Sequence, residues 1–366
     1  MFGSRDTKWY KVPSHDPTSA DEAFPPALPS PKGWFCIGFS DEVPPGKVVT
    51  SRLVDQDVVL YRTRAGLLRA VEPYCPHLGA HLGVGGKVEG EDLVCPFHGF
   101  GFGPDGACVR SGYGKQPPKA RVRHLEIRET NGIIFAWHIG EADNGPEWEI
   151  ESADLKGYSR LIHITVELPS HPQEITENAV DLGHFPVMHN SQVREFTLPL
   201  DPGSPVAAIH LKTLMPIPYL PWWHMTTSYD GELRGLGCAT GTVTVQGLGL
   251  MMHAWLMPTV VGPWRIQLRF AACIRISPPR WLPSRLGRHV ARTVSGALCS
   301  FGLRSTITGL TLGADSPIWH TKQHQPAPRI ADGDGPIMAY RRWAKQFYSA
   351  RPHRDGEAGS AGLISE

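Results

Sequence analysis

The chain has 366 residues, with 41% hydrophobic and 19% charged side chains and a formal net charge of +1. This length allows two domains with cores of their own and is too great for a lone small electron carrier. The near-neutral charge excludes a general nucleic-acid binder. Of the seven cysteines, Cys36, Cys108, Cys238, Cys273 and Cys299 are scattered with no pairing pattern. That fits buried free thiols in a reducing compartment better than a disulfide framework. Residues 1–30 are polar and Pro-rich and carry no signal-peptide pattern. No apolar run reaches the length of a bilayer span. The expectation is a cytoplasmic protein.

In chain order, residues 1–30 read as an arm over the surface. From Gly33 to about residue 140 the pattern is short strands and turns. Val48–Val54, Val58–Arg62, Leu67–Val71, Leu93–Val94, Ala120–Ile127 and Ile133–His138 read as β, with turn signals at Pro44-Pro45-Gly46 and Pro104-Asp105-Gly106. This predicts a small antiparallel β domain over residues 31–145. Inside it lie Cys75-Pro76-His77 and, after seventeen residues, Cys95-Pro96-Phe97-His98. A Rieske [2Fe–2S] centre needs two Cys on one iron and two His on the other. Each short loop here supplies one of each. A structural zinc site is the alternative, but it rarely takes two Cys-His half-sites of this form. Gly79 and Gly99 suit tight loops around a cluster. His81 reads as a loop histidine outside the ligand set.

Residues 140–158 are acidic and turn-rich, which places a domain boundary near 145/146. A strand at Leu161–Leu168 follows, then a helix opened by Pro172. Along it Asn178, Asp181 and His184 recur every three residues, so they fall near one helical face. Pro186 should end or kink this helix, leaving His189 free to turn back towards His184. A solvated helix with two satisfied histidines is the plainer alternative. Two His are too few for non-haem iron, which takes a third ligand from a carboxylate. Asp315, in the otherwise apolar Leu310–Trp319, is the candidate, because a carboxylate in such a setting needs a partner.

Between these ligands, Ala207–Leu214, Trp223–Tyr229, Thr242–Val245, Leu250–Met257 and Trp264–Ile276 read as strands. Met251, Met252, Trp255, Met257, Trp222 and Trp223 make this sheet rich in large apolar groups. They serve either a core or a pocket for a bulky apolar molecule. Residues 280–304 place Arg285, Arg288 and Arg292 on one helical face. That face is solvated, or it meets a membrane surface or an acidic electron donor. A last helix runs from Pro336 to Phe347. Residues 352–366 read as a disordered tail.

With these motifs in place, the chain resembles the oxygenase component of a Rieske non-haem iron oxygenase over roughly residues 33–350. It is most similar to the group of 3-ketosteroid 9α-hydroxylases and cholesterol 7-desaturases. The resemblance rests on Glu177-Asn178-Ala179-Val180-Asp181-Leu182-Gly183-His184 with His189, on Asp315-Ser316-Pro317-Ile318-Trp319, and on Asp332-Gly333-Asp334-Gly335-Pro336 with Arg341–Tyr348. It departs from the group at Gly99-Phe100-Gly101-Phe102, where a Trp or Tyr is usual. It implies an α+β architecture: the antiparallel β Rieske domain, then a helix-grip catalytic domain over residues 146–351. It implies a [2Fe–2S] cluster on Cys75, His77, Cys95 and His98, and Fe(II) on His184, His189 and Asp315. Asp181 matches the carboxylate that bridges cluster and iron between subunits of a head-to-tail homotrimer. Asn178 matches a residue beside the iron that is usually not a ligand. The implied activity is that of a monooxygenase or desaturase. It would use O₂ and electrons from a separate ferredoxin or flavin reductase to hydroxylate, desaturate or demethylate an apolar substrate, with peripheral membrane contact open. No nicotinamide or flavin fingerprint is present, so the electron donor must be another protein. A sterol is the expected substrate; an aromatic, alkaloid or terpenoid molecule stays open. A non-catalytic electron carrier is the rival that would lack the second iron.

Overall fold

The computed structural model describes residues 28–139, 145–217, 220–277, 284–305 and 312–348. The sequence readings for most of the 1–30 arm, for Arg280–Pro283, for Leu310 and Thr311 and for the tail lie outside the described residues.

The first part holds three small antiparallel sheets. Strands β1 (Gly33–Phe39), β2 (Val48–Leu53), β3 (Gln56–Arg62) and β4 (Leu68–Val71) are followed by β5 (Lys87–Glu89), β6 (Asp92–Val94), β7 (Gly101–Phe102) and β8 (Cys108–Arg110). β9 (Ile127–Thr130) and β10 (Ile133–His138) then complete a sheet of order β1-β10-β9. β1 is buried on both faces, as its unbroken run Trp34-Phe35-Cys36-Ile37 requires. The strand expected over Ala120–Ile127 is not one. Residues 120–126 make only isolated bridges, through Arg121 to Ala107 and His124 to Val71.

The second part is one seven-stranded antiparallel sheet of order β11-β17-β16-β15-β14-β13-β12. Its strands are β11 (Ile162–Leu168), β12 (Gln192–Thr197), β13 (Val206–Ile217), β14 (Leu220–Arg234), β15 (Cys238–Val245), β16 (Leu250–Gly262) and β17 (Arg265–Ile276). Between β11 and β12 come α1 (Pro172–Glu177) and α2 (His184–Met188); after β17 come α3 (Ser284–Ser305), α4 (Leu312–Thr321) and α5 (Ile337–Ala344). No helix among the described residues is long and apolar enough to cross a membrane.

Alternation along the strands divides the apolar residues between two jobs. Met251, Trp255, Met257, Ala271 and Cys273 pack with Trp34, Cys36, Phe135 and Trp137 of the first part, so one core runs across the boundary between the parts. Thr259 Oγ1 and Arg269 Nη1 both donate to the Cys36 carbonyl, at 2.6 and 2.7 Å. On the other face Met252, Ala254, Phe270, Ala272 and Ile274 meet Cys299 of α3, while Leu168, Ile266 and Leu268 meet Trp319 of α4. Trp222 and Trp223 join neither core; both are exposed. All seven cysteines are free thiols.

Candidate metal centres

The two Cys-His loops are built alike. Cys75 N–H donates to the Ala80 carbonyl and Gly79 N–H to the Cys75 carbonyl, at 2.8 and 2.9 Å. Cys95 N–H donates to the Phe100 carbonyl and Gly99 N–H to the Cys95 carbonyl, at 2.8 and 3.1 Å. Each loop closes through a glycine with positive φ, 74° at Gly79 and 66° at Gly99, where a side chain is disfavoured. The result is two matched finger loops, each presenting a thiol and an imidazole. Cys75 and Cys95 are buried, and the His77 and His98 rings stand 4.7 Å apart, centroid to centroid. Burial pushes the Cys75 thiol up to about 11, with the nearby Cys95 adding to the rise. His77 Nδ1 is buried with no hydrogen-bond partner. Two buried thiols and an orphaned ring nitrogen beside a second imidazole fit a [2Fe–2S] cluster. A third loop seals this site: Gly112 N–H donates to the His98 carbonyl at 3.1 Å. Phe100 and Phe102, the departure noted in the sequence, are buried, and Phe100 lies 4.4 Å from the His77 ring. His81 lies outside the set. Its Nε2 is 3.2 Å from Asp57 Oδ2.

The second constellation forms differently from the expected single helix. α1 stops at Glu177, and Asn178 is its C-cap. A turn follows, and α2 restarts at His184. Pro186 sits in the first turn of α2, where a missing N–H costs nothing, so it does not end the helix. His189 is the C-cap of α2. The three-residue spacing therefore does not describe one helical face, yet the residues still converge. His189 Nε2 lies 3.2 Å from Asp315 Oδ1 in α4. Single donor atoms of His184, His189 and Asp315 all lie within 4.8 Å of one another. Two imidazoles and one carboxylate at this separation fit one small metal ion with positions left open.

Two of these residues, His184 and Asp315, are held from behind. His184 Nδ1–H donates to the Asp181 carbonyl, which fixes the tautomer and leaves Nε2 facing Asp315. Asp181 Oδ1 accepts from the His184 backbone N–H at 3.3 Å. Asn178 Nδ2 donates to Asp315 Oδ2 at 3.3 Å and stands 3.3 Å from His184 Nε2. The Asp332–Pro336 motif lies under this turn: Leu182 N–H donates to the Asp334 carbonyl at 3.0 Å. A Cβ on Gly335, whose φ is 87°, would stand 2.2 Å from the Val180 carbonyl oxygen.

A buried ionic network behind α1 was not anticipated. Glu174 pairs with His324 Nδ1 and Lys322 Nζ, both at 2.7 Å. Glu177 receives Arg341 through Nε at 2.6 Å and Nη2 at 3.0 Å. Burial alone would raise the Glu174 carboxyl, but His324 and Lys322 outweigh it and hold it at about 2. No local pattern signals this network, because its members are some 150 residues apart in sequence.

Residues 33–123 match the Rieske [2Fe-2S] domain family, and residues 136–216 and 303–348 match the 3-ketosteroid 9alpha-hydroxylase C-terminal domain family. Cholesterol 7-desaturase nvd of Bombyx mori is 31% identical over 333 residues, covering 88% of this chain and 70% of that protein. The probable 3-ketosteroid-9-alpha-monooxygenase oxygenase component of Rhodococcus rhodochrous is 24% identical, over 87% of this chain and 79% of that one. Among solved structures, dicamba monooxygenase bound to dicamba superposes with a TM-score of 0.67 at 17% identity, covering 86% of this chain and 96% of the other.

Proposed function

The chain belongs to the Rieske non-haem iron oxygenases, in the group of the cholesterol 7-desaturases and 3-ketosteroid 9α-hydroxylases, and from that membership we propose that it oxidises an unactivated C–H bond of a sterol. Cys75, His77, Cys95 and His98 would hold the cluster, and His184, His189 and Asp315 the Fe(II). When bound, the two centres supply one-electron storage and O₂ activation. The chain's own residues do the rest. Asn178 and the Asp181 carbonyl orient Asp315 and His184, so that three donors converge without rearrangement. The helix-facing side of the seven-stranded sheet is apolar, with Met252, Ala254, Phe270 and Ile274 packed with Cys299 of α3. The convergence of His184, His189 and Asp315 within 4.8 Å carries the reading, because a plain electron carrier has no use for it.

A multicomponent oxygenase requires an electron donor, and a separate ferredoxin or flavin reductase is the proposed one. A head-to-tail homotrimer is part of the same proposal. In it Asp181 of one subunit meets a cluster histidine of the next. The Asp181 side chain is 36% exposed while its Oδ1 accepts from His184 N–H, a position suited to an outward contact that is tied to an iron ligand. A substrate of this kind dissolves in lipid, so peripheral membrane contact belongs to the reading too.

The test begins with protein purified without oxygen. A red-brown preparation with about three irons per chain is expected. Asp315→Ala should bring this to about two, with the cluster spectrum unchanged and turnover of a sterol abolished. Retained turnover in that variant would remove Asp315 from the ligand set. A colourless, zinc-containing protein would end the proposal.

A further inference from the structure

Charge is unevenly distributed along this chain. No Asp or Glu occurs between Glu232 and Asp315, while residues 271–314 carry six arginines. Half of that segment is α3. Its buried edge is made of small residues eight and four apart: Gly287, Ser295 and Cys299. Ser295 Oγ accepts from Ile276 N–H at 3.1 Å, and Cys299 Sγ donates to the Ala272 carbonyl at 3.4 Å. Beside this edge Leu286, Val290, Val294 and Leu298 also recur every four residues, and all four are exposed. Arg285 and Arg288 lie in the first turns of α3, on the side away from the stripe, and are exposed as well.

Register places two other apolar features at the same end of the sheet. Ser295 bonds to Ile276, the last residue of β17, and Cys299 to a residue further in. The first turns of α3 therefore run out past the strand end. Ile276 pairs with Leu250, next to the β15–β16 turn, where Leu248 is exposed. Thr227 pairs with Val245 at that turn and Thr226 accepts from Gln246 N–H, so residues 220–225 of β14 reach beyond β15, with only β13 paired to them among the described residues. On this arm Trp222 is 70% and Trp223 is 63% exposed. Neighbouring residues of a strand point to opposite sides. Both indoles are therefore bare because none of the described residues covers either side of the arm.

We propose that this end of the sheet docks on a lipid bilayer bearing anionic headgroups, through Trp222, Trp223, Leu248, Leu286 and Val290, with Arg285 and Arg288 on the phosphates. The proposal rests on the sterol reading and extends it by naming the surface that meets the substrate's solvent. Three separate elements that reach past the same end of the sheet suit a broad partner rather than a pocketed one. Tryptophan prefers the membrane interface. Arginine can keep its stem in the apolar boundary while its head stays in the headgroups. The absence of carboxylates from residues 271–314 removes repulsion by an anionic surface.

The holoenzyme should sediment with vesicles of phosphatidylcholine mixed with phosphatidylglycerol at low salt, and far less with phosphatidylcholine alone. Arg285→Gln with Arg288→Gln should lower binding to the mixed vesicles roughly 30-fold, from about 1 kcal/mol for each arginine. Trp222→Ser with Trp223→Ser should lower binding to both kinds of vesicle. Both double variants should keep the visible cluster spectrum and the turnover of a detergent-dispersed sterol. The proposal falls if the native enzyme stays in the supernatant with the mixed vesicles, or if the variants bind as the native enzyme does. It also falls if the tryptophan variant changes the sedimentation coefficient of the free enzyme, since this face would then be a contact between copies. A native enzyme that binds vesicles but turns over no sterol in detergent would defeat the substrate reading and leave the docking surface standing.

Discussion

The side-chain amide of Asn178 donates to Asp315 Oδ2 at 3.3 Å, although 137 residues separate the two in sequence. The same nitrogen stands 3.3 Å from His184 Nε2. Asn178 is thus a positioning residue that touches two of the three proposed ligands. Removing it leaves Asp315 free to turn. Asn178→Ala should weaken Fe(II) binding roughly 10-fold or more without changing the cluster spectrum. Iron titration of the chelated protein checks this. Unchanged affinity would mean that Asp315 is oriented by something else.

The turn between α1 and α2 depends on Gly335. Its φ of 87° and the 2.2 Å from an added Cβ to the Val180 oxygen leave no room for a side chain. Gly335→Ala should destabilise the second part by about 2 kcal/mol or more and should lose the mononuclear iron before the cluster. Metal content and the visible spectrum, followed through a thermal ramp, separate the two losses.

The two finger loops match in hydrogen bonding but differ in surroundings. A Cβ on Gly79 would meet nothing within 4 Å, whereas one on Gly99 would lie 2.9 Å from Gly112 Cα. Gly79→Ala should cost about 1 kcal/mol of backbone strain and keep the cluster. Gly99→Ala should also push the Gly112 loop off His98 and lose most of the red-brown colour. Equal spectra in the two variants would show that the third loop does not seal the site.

Two buried groups make stability fall in acid. His171 caps α1, its Nδ1 accepting from Gln173 N–H at 3.2 Å, and burial pulls it down to about 4 from 6.5. The neutral ring carries no penalty above pH 6.5, and the stability it allows is lost as pH falls from 6.5 towards 4. Glu174, held at about 2 against 4.5, stabilises above pH 4.5, and that contribution is lost as pH falls from 4.5 towards 2. Glu174→Gln should therefore cost about 2 kcal/mol at neutral pH, because the charge-assisted bonds to His324 and Lys322 are lost. It should also flatten the lower part of the acid profile. Chemical denaturation across pH measures both effects.

Much of this protein was legible in its sequence because the signals are local. Cys75-Pro76-His77 and Cys95-Pro96-Phe97-His98 name their cluster by ligand type and spacing, and β1 and the long strands follow from apolar runs and alternation. The family likeness was carried by short contiguous motifs, so it could be read before any contact was known. Where a local rule met a competing one, the reading failed. The three-residue spacing of Asn178, Asp181 and His184 imitated a helical face, but capping at Asn178 ended α1 before Pro186 could act. Residues 120–126 look like a strand, yet they only bridge between sheets.

By itself, then, the sequence determined the two Cys-His half-sites as a motif, the order of the two parts and the residue types of the proposed second centre. Tertiary structure alone decided that Asp315, on a helix beyond the whole seven-stranded sheet, stands 3.2 Å from His189. It alone decided that the Asp332–Pro336 motif lies under the Val180–Gly183 turn, that Glu174 and Glu177 find cations from two distant segments, and that Trp222 and Trp223 are left bare while Trp255 is buried. The reason is physical. Ligand chemistry and strand alternation are written in neighbouring residues, whereas which distant side chains meet depends on sheet register and on how helices cross the sheet, and neither has a local signature.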